Sequence, residues 1–251
     1  MTIPTLRADD KVVVVTGGSK GLGRAMAIGF AEAGADVVVA SRKLEPCEQV
    51  AAEIRAIGRR ALAVSCHVGD WEQCEALVAA TVAEFGRIDV LVNNAGIAPV
   101  PPSLLGVTHE LFDKTIDVNL KGPLRLSALA AEHMPPGGTI INISSKASTN
   151  PAPFTVVYAV AKAGLNVLTT ASALEFAPRG IRVNGIICGT FDTDSLRRSM
   201  PTEEAWQMAA SRVSVGRIAD ADEIVGTALY LASDASSYMN GKMVVLDGGG
   251  S

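Results

Sequence analysis

A tyrosine and a lysine four positions apart form the side-chain pair in this sequence that is best suited to proton transfer. Tyr158 and Lys162 stand in Tyr-Ala-Val-Ala-Lys, and on a helix their side chains share one face. A free phenol has a pKa of ~10, and a neighbouring ammonium favours the phenolate form. The pair therefore predicts an acid/base that exchanges a proton with a substrate oxygen.

A glycine-rich segment with the chemistry of a phosphate-binding turn follows the apolar run Val12–Val15. Gly17, Gly21 and Gly23 allow a tight turn and close approach of a ligand. A helix beginning here would present free N–H groups and its positive dipole end to a pyrophosphate. The turn also satisfies Gly-x-Ser-x-Gly around Ser19, the nucleophile-elbow pattern of hydrolases. Dinucleotide binding is favoured over hydrolysis, because one apolar run precedes Ser19 and no histidine follows His133.

The end of the second apolar run predicts which dinucleotide binds. An NAD site usually places Asp or Glu there, to bind the ribose 2′-hydroxyl. Here Ser41 and Arg42 occupy that end, whereas Asp36 lies at the opposite end, roughly 15 Å away for an extended chain. A guanidinium matches a 2′-phosphate in charge and geometry, and Lys20 adds a second cation. NADP(H) is therefore the expected cofactor.

Apolar runs alternate with helical patterns from end to end, which predicts an α/β fold. Strands separated by helices must pair in parallel, so we expect one Rossmann-type, doubly wound sheet of about seven strands within a single domain over 1–251. The predicted strands are Val12–Val15, Val37–Ala40, Ala61–Val64, Val90–Val92, Thr139–Ile143, Val183–Ile187 and Met243–Leu246. The predicted helices, on both faces, lie near 21–33, 45–57, 70–85, 108–132, 155–177, 202–212 and 220–232.

Composition excludes several classes of partner. The net charge is -4 and no Lys/Arg run reaches five residues, so no nucleic-acid partner is expected. The uncharged stretch Val90–Thr108 contains three prolines and reads as strand and loop, so no membrane span is expected. The helices near 108–132 and 155–177 are apolar on several faces, which predicts a homo-oligomer, with a tetramer favoured.

The four cysteines are interpreted as buried, reduced thiols of a cytoplasmic protein, because none forms a Cys-x-x-Cys pair. Cys66, His67 and Cys74 could supply three metal ligands, but a fourth ligand is missing. We therefore expect no metal site.

Five motifs in order, with the Asp247-Gly248-Gly249 end, resemble the short-chain dehydrogenase/reductase family over nearly the whole chain. They are the Thr16–Gly23 turn, Asn93-Asn94-Ala95-Gly96, Asp117-Val118-Asn119-Leu120, Ser144-Ser145 and Tyr158-x-x-x-Lys162. Ser145 lies 13 positions before Tyr158.

The resemblance implies roles for individual residues. Ser145 would bind the substrate oxygen, Tyr158 would exchange the proton, and Lys162 would lower the tyrosine pKa and hold the nicotinamide ribose. Asn119 would order a water-linked proton relay to Lys162, and Asn93 would hold the sheet to the adenosine side. The implied cofactor-binding residues are Gly17, Ser19, Lys20, Gly21, Leu22, Gly23, Ser41, Arg42, His67, Val68, Asn94, Ala95, Gly96, Tyr158, Lys162, Gly189 and Thr193.

Two positions depart from the family pattern. Cys188-Gly189 stands where Pro-Gly is usual, which puts the rigidity of that turn in doubt. His67 replaces a common Asp that contacts the adenine amino group. A ring nitrogen of His67 could still make this contact, and a purely structural histidine is an equal alternative.

The substrate is expected to be a hydrophobic or amphipathic ketone, aldehyde or alcohol. By resemblance, Ile97–Leu105 and a lid over 190–212 would line its pocket, and the lid carries Phe191, Leu196, Met200, Trp206 and Met208. One alternative is a 3-oxoacyl thioester on a carrier protein, met by Arg179, Arg197 and Arg198. An alternative of another class is a non-catalytic dinucleotide sensor, which would normally have lost Tyr158 or Lys162.

Overall fold

The seven apolar runs form one parallel sheet in the computed structural model, which describes residues 5–250. Every predicted strand is present, and the observed strands extend the predictions by at most two residues at an end. The strands are β1 Val12–Thr16, β2 Asp36–Ser41, β3 Ala61–Ser65, β4 Val90–Asn93, β5 Thr139–Ser145, β6 Arg182–Cys188 and β7 Met243–Leu246.

The strand order is β3-β2-β1-β4-β5-β6-β7, and every pairing is parallel. The chain first winds outward from β1 through β2 to β3, then returns to the other side of β1 at β4. This reversal opens a crevice beyond the carboxyl ends of β1 and β4, where ligands bind in sheets of this kind. The predicted fold class, a doubly wound sheet with helices on both faces, is confirmed.

Helices connect the strands and cover both faces of the sheet. They are α1 Gly21–Glu32, α2 Leu44–Ala56, α3 Trp71–Phe85, α4 His109–Ile116, α5 Gly122–Glu132, α6 Val156–Phe176, α7 Asp194–Ser199, α8 Glu203–Ser211 and α9 Val225–Ala232. The helix predicted near 108–132 is present as a continuous helical stretch from His109 to Glu132, and a widened π-helical turn over Asp117–Lys121 separates its two α-helical parts, α4 and α5. Helix α7 was not predicted, and its N-terminus is capped by Thr193, whose hydroxyl accepts from the amide of Leu196 at 3.3 Å.

Two apolar clusters hold the layers together, one on each face. Alternate side chains of a buried strand point to opposite faces, and β1 shows this directly. Val13 and Val15 belong to the cluster beneath α1, α2 and α9, whereas Val14 belongs to the cluster beneath α3 and α5. Near-continuous burial of the strands explains why they read as unbroken apolar runs.

One helical stretch among the described residues, Pro153–Arg179, is long and apolar enough for a membrane span by length and composition alone. Its inner face packs against the sheet, with Leu165 and Lys162 buried. Its outer face leaves Val160, Val167 and Leu174 more than half exposed. This apolar face is the part of the helix that packing within one chain does not explain.

Candidate active site

The crevice beside β1 contains a cavity of about 710 Å³. It opens between the glycine turn that follows β1 and the loop that follows β4, where the reversal of strand order predicts a ligand. The described residues that line it are Gly17, Ser19, Lys20, Ser41, Arg42, Lys43, Pro46, Cys66, His67, Val68, Ala95, Gly96, Ile97, Lys114 and Val118. Nine of the residues predicted to bind cofactor are among them, namely Gly17, Ser19, Lys20, Ser41, Arg42, His67, Val68, Ala95 and Gly96.

The glycine turn leaves no room for a side chain at Gly17 or Gly23. Gly17 has φ +64°, a left-handed conformation that glycine adopts without strain. A Cβ at Gly23 would lie 2.2 Å from the carbonyl oxygen of Gly17 and 2.5 Å from the Asn94 amide nitrogen. The turn leads into α1, whose N-terminus has no side-chain cap. Its first amides therefore stay available to an anion.

Some predicted cofactor-binding residues position the turn and do not line the cavity. The side-chain amide of Asn94 donates to the carbonyl oxygens of Thr16 and Gly17, at 2.8 and 3.3 Å. Leu22 packs against the apolar cluster beneath α1, and Gly23 lies against Gly17. The hydroxyl of Thr16, a residue not predicted to have a role of its own, accepts hydrogen bonds from the backbone amides of Asn94 and Ala95. Leu22 lies within the Thr16–Gly23 turn and Asn94 directly follows β4, so chain position alone could not show which way their side chains point.

The cavity wall carries four cations and, among the described lining residues, no carboxylate. Lys20, Arg42, Lys43 and Lys114 all line it. Lys43 and Lys114 were not predicted, and Lys114 reaches the cavity from α4. Its i, i+4 spacing to Val118, which also lines the cavity, is the one sequence signal that indicates this orientation. The hydroxyl of Ser41 lies 3.0 Å from the Cys47 sulfur.

Ser145, Tyr158 and Lys162 lie together beyond the end of the cavity formed by Gly96. The hydroxyl of Ser145 lies near the Tyr158 phenol and acts to lower its pKa. The Lys162 nitrogen lies 5.8 Å from the centroid of the Tyr158 ring. A Cβ placed on Gly96 would lie 3.6 Å from that nitrogen, so the cavity and the three side chains adjoin.

The electrostatics of this group differ from the expectation that Lys162 lowers the tyrosine pKa. Burial is the main cause that raises the pKa of Tyr158, and the nearby Ser145 hydroxyl opposes this rise in part. Burial also lowers the pKa of Lys162 to about 8. The Lys162 ammonium donates at 2.7 Å to the carbonyl oxygen of Ile143 in β5, away from the phenol oxygen. In the chain alone the pKa of Tyr158 is therefore raised, and its lowering by Lys162 beside a bound nicotinamide stays a prediction.

The turn that carries Ser145 is fixed by a short hydrogen-bond chain. Ser144 points to the other side of the strand and bonds the side chain of Asn166 at 2.6 Å. Asn166 donates to the Ser148 hydroxyl at 2.9 Å, which in turn donates to the carbonyl oxygen of Ser145 at 2.6 Å. The amide of Ala147 donates to the Ser145 hydroxyl at 3.2 Å. These bonds hold the serine hydroxyl toward Tyr158.

Asn119 sits in the widened turn between α4 and α5 and is fully buried. Its side-chain amide donates to the carbonyl oxygens of Ile97 and Thr115, both at 2.9 Å, and its oxygen accepts from the Ile97 amide at 3.3 Å. Asn119 therefore joins the helix to the loop that lines the cavity. A water-linked relay to Lys162 stays a prediction.

Gly189 and Thr193 lie outside the cavity, on the segment after β6. A Cβ at Gly189 would lie 2.6 Å from the Cα of Asp247, which shows why glycine is needed there. The methyl group of Thr193 is the nearest neighbour of a Cβ placed on Gly21, at 3.4 Å. Cys188 is paired with Ser145 and Leu246 in the sheet, and burial raises the pKa of its thiol to about 12. We conclude that Cys188 is a protonated thiol within the sheet.

The predicted lid segment divides between two sites. Phe191 is buried in the cluster beneath α1. Met200, Trp206 and Arg197 line a second cavity, of about 560 Å³. Arg197 pairs with Asp192 and stacks 5.6 Å from the Trp206 ring centroid, which ties α7 to α8. Whether 190–212 moves as a lid stays a prediction.

The cysteines and the absence of a metal site were both expected from the sequence, and two of the residues concerned, Cys66 and His67, line the main cavity. All four cysteines are free and buried. Among residues 5–250 no group of three or more His, Cys, Asp or Glu side chains is arranged to hold a metal ion. His67 lines the cavity, and its amide donates to the Gln73 side chain at 2.8 Å.

Comparison with known proteins assigns this arrangement to a family. A family model described as Enoyl-(Acyl carrier protein) reductase matches residues 17–251. The chain is 36% identical over 242 residues to Dehydrogenase/reductase SDR family member 4 of Homo sapiens, covering 96% of this chain and 87% of that one. It is 38% identical over 247 residues to L-rhamnose 1-dehydrogenase (NAD(P)(+)) of Azotobacter vinelandii, covering 96% of each.

Solved structures show the same likeness. A short chain dehydrogenase from Burkholderia cenocepacia, in complex with NADP, superposes with a TM-score of 0.91 at 33% identity, covering 97% of this chain and 98% of that chain. A short-chain type dehydrogenase/reductase from Mycobacterium marinum gives 0.90 at 34% identity, covering 97% and 96%. The chain belongs to the short-chain dehydrogenase/reductase family of oxidoreductases.

Proposed function

We propose that this chain is an NADP(H)-dependent oxidoreductase that interconverts a ketone or aldehyde and an alcohol. The observation that carries the proposal is the grouping of two neighbouring hydroxyls, Ser145 and Tyr158, with the buried ammonium of Lys162, which lies 5.8 Å from the Tyr158 ring centroid. Two neighbouring hydroxyls can both contact one substrate oxygen. When a carbonyl is reduced to an alcohol, negative charge develops on its oxygen, and two hydrogen-bond donors to that oxygen stabilise the charge.

The residues divide the work of reduction between them. The nicotinamide ring supplies the hydride when the dinucleotide is bound. Ser145 binds and orients the substrate oxygen. Tyr158 donates its proton to that oxygen, and a phenol kept protonated at neutral pH by burial is suited to this direction. In oxidation the same phenolic oxygen must first lose its proton and then accept one from the alcohol.

The choice of NADP(H) rests on the charge of the cavity wall. Four cations and no carboxylate among its described lining residues favour a ligand with an additional phosphate. Arg42 stands after β2, where the 2′ position of the adenosine ribose would lie, and Lys20 stands in the glycine turn. The Burkholderia cenocepacia relative contains NADP, and the name of the Azotobacter vinelandii relative gives NAD(P)(+), which support the proposal.

The substrate is proposed to be hydrophobic or amphipathic. The two segments expected near the substrate bear exposed apolar side chains, including Leu105 at 98% exposure and Met208 at 58%. In the carrier-thioester alternative three arginines contact the acyl carrier, but two of them already bind other groups of this chain. Arg179 donates to the carbonyl oxygen of Ala131, and Arg197 is paired with Asp192. We therefore favour a free ketone over an acyl group presented by a carrier protein.

A homo-oligomer, with a tetramer favoured, and a cytoplasmic location complete the proposal. The outer face of α6 exposes Val167 at 70% and Leu174 at 75%. Exposed apolar side chains along one helix face favour burial against a second copy of the chain.

The test follows NADPH absorbance with a panel of aryl ketones, aliphatic ketones, diketones, 3-oxoacyl thioesters and, in the oxidative direction, sugars. We expect turnover with apolar ketones and a higher kcat/KM for NADPH than for NADH. Cofactor binding without turnover on the whole panel would favour the dinucleotide sensor. Ester cleavage that depends on Ser19 would favour the hydrolase, and sugar oxidation as the best activity would refute the apolar substrate.

A further inference from the structure

Two cysteines that the proposed reaction does not use lie together at the wall of the main cavity. Cys66 follows β3 directly, and Cys74 lies in the first turn of α3. The two cysteines flank the short loop that joins β3 to α3. Both belong to the same apolar cluster, with 2% and 0% exposure to bulk solvent. The cavity is the one route to them that the structure shows, because Cys66 lines it.

The chain between the two cysteines is a tight loop. The Cys66 thiol donates to the carbonyl oxygen of Gln73 at 3.5 Å, and the Cys74 thiol donates to that of Val68 at 3.3 Å. Each sulfur thus contacts the backbone beside the other cysteine. The loop also carries His67 and Val68, which line the cavity. A bond between the sulfurs would therefore pull directly on cavity-lining residues.

We propose that Cys66 and Cys74 form a peroxide-sensitive dithiol, whose oxidation to a disulfide closes the site to the dinucleotide and which bound dinucleotide protects. The oxidant is a hydroperoxide small enough to enter the cavity. The disulfide itself does not depend on the proposed function, whereas the protection by NADP(H) does.

The reaction balances in two steps. The Cys66 sulfur attacks the terminal peroxide oxygen, the O–O bond breaks, and the thiol becomes a sulfenic acid while water or an alcohol leaves. The Cys74 sulfur then attacks the sulfenic sulfur, the S–S bond forms, and the sulfenic oxygen leaves as water with the Cys74 proton. Two thiols are oxidised and one peroxide is reduced.

The surroundings assign the two roles. Cys66 faces the cavity and meets the oxidant first. The neighbouring Cys74 and burial raise the pKa of the Cys66 thiol, and the neighbouring Cys66 is the main cause that lowers the pKa of Cys74. We therefore expect the attack of Cys66 on the peroxide to be the slow step and the attack of Cys74 on the sulfenic acid to be fast. The charged groups nearest the pair are Asp70 and Glu75, which raise the pKa of Cys74, and Arg125, which lowers it. Reversible disulfides of this kind are the ones expected in a reducing compartment.

The sequence allows a direct test by mass spectrometry. Residues 61–87 contain no Lys or Arg before Arg87, so trypsin releases both cysteines in one peptide. The reduced protein is treated with hydrogen peroxide, unfolded, alkylated with N-ethylmaleimide and digested. We expect this peptide to carry no alkyl group after peroxide treatment and to be two hydrogens lighter than the reduced, unalkylated peptide. The peptides that contain Cys47 and Cys188 should stay alkylated and serve as internal references. Dithiothreitol should restore both alkylation sites.

Saturating NADP+ during the peroxide step should slow disulfide formation by about tenfold, since bound ligand covers the one route to Cys66 shown by the structure. After oxidation, calorimetric titration should show NADP+ binding weakened by about tenfold, the equivalent of one or two lost hydrogen bonds. Cys74→Ser, treated in the same way, should keep its NADP+ affinity, and Cys47→Ser should behave as wild type.

Full alkylation of the 61–87 peptide after peroxide would overturn the proposal. So would equal loss of NADP+ binding in Cys74→Ser, or a disulfide that forms as fast with NADP+ as without it. If the chain binds no NADP+ but forms the disulfide, the proposed cofactor fails and the oxidation site stands.

Discussion

The buried ammonium of Lys162 donates a hydrogen bond of 2.7 Å to the carbonyl oxygen of Ile143. This bond fastens the helix that carries Tyr158 to the strand that leads to Ser145, so one side chain aligns both hydroxyls. No carboxylate pairs with Lys162 among the described contacts, and burial lowers its pKa to about 8. A charge held without a counter-ion is a cost to folding that the active site retains.

The first prediction concerns stability against pH. Because the pKa of Lys162 is about 8 in the folded chain and 10.5 when unperturbed, the unfolded state binds more protons between these values. The stability of the wild type therefore rises with pH in this window, and the contribution is constant below about pH 8. Relative to Lys162→Met, the wild type should gain about 2 to 3 kcal/mol in free energy of unfolding from pH 8 to pH 10.

Urea unfolding of both proteins at pH 7, 8, 9 and 10 measures this difference. Other titrating groups are shared by the two proteins, so they cancel to first order. A difference that stays constant across these four pH values would show that Lys162 does not titrate in the folded chain as described.

The second prediction concerns the proton donor. Tyr158→Phe removes the phenolic oxygen and leaves the ring, so the reduction rate should fall by about 10² to 10⁴-fold. NADPH affinity should change little, because Tyr158 does not line the 710 Å³ cavity. Tyr238→Phe is the matched control, since Tyr238 is fully exposed. Equal activity of the two variants would remove Tyr158 from the mechanism.

The third prediction concerns the direction of the reaction. Burial raises the pKa of Tyr158, so the phenol is protonated at neutral pH and oxidation needs the scarce phenolate. The kcat/KM for alcohol oxidation should rise about tenfold per pH unit above pH 7, while that for ketone reduction stays level until the phenol ionises. Initial rates in both directions from pH 6 to 10 check this. Oxidation that is already level at pH 7 would contradict it.

Sequence patterns predicted the sheet well, because each strand is buried on both faces and so reads as a continuous apolar run. They also located Ser145, Tyr158 and Lys162, whose neighbourhood follows from strand ends and helix spacing. They did not show that Asn94 and Leu22 turn away from the cavity, or that Lys114 crosses to it. Those orientations depend on how helices and loops pack over the sheet.

The π-helical turn at Asp117–Lys121 shows the same limit of sequence patterns. Leu111, Val118 and Leu126 continue a helical pattern through it, so nothing in the local sequence indicates a widened turn. The turn depends on Asn119, whose amide bonds backbone groups from a loop about twenty residues earlier. The pKa of Tyr158 in the chain alone is likewise determined mainly by its burial, which cannot be predicted from the spacing of Tyr158 and Lys162 along a helix.

The fourth prediction concerns cofactor choice. Arg42→Asp replaces a cation at the cavity wall with an anion, which should lower kcat/KM for NADPH by about 10 to 100-fold, the range of one charged hydrogen bond. The kcat/KM for NADH should change much less, so the preference narrows or reverses. Lys242→Ala, which removes an exposed cation outside the cavity lining, is the control for general charge effects. Equal losses with both dinucleotides would show that Arg42 does not contact the additional phosphate.

The fifth prediction compares two glycines in helices. At Gly23, near the start of α1, a Cβ would lie 2.2 Å from the carbonyl oxygen of Gly17, a backbone atom that cannot move without opening the turn. At Gly226, near the start of α9, a Cβ would meet nothing within 4 Å. Gly23→Ala should lower the free energy of unfolding by about 1 to 3 kcal/mol through overpacking. Gly226→Ala should raise the free energy of unfolding by about 0.5 kcal/mol, because alanine loses less backbone freedom on folding.

NADPH binding should weaken in Gly23→Ala alone, since that variant displaces the turn that approaches the pyrophosphate. Thermal unfolding with and without NADPH measures both effects: the ligand-induced rise in Tm should shrink in Gly23→Ala and persist in Gly226→Ala. An undiminished rise in Gly23→Ala would mean that the glycine turn does not contact the cofactor.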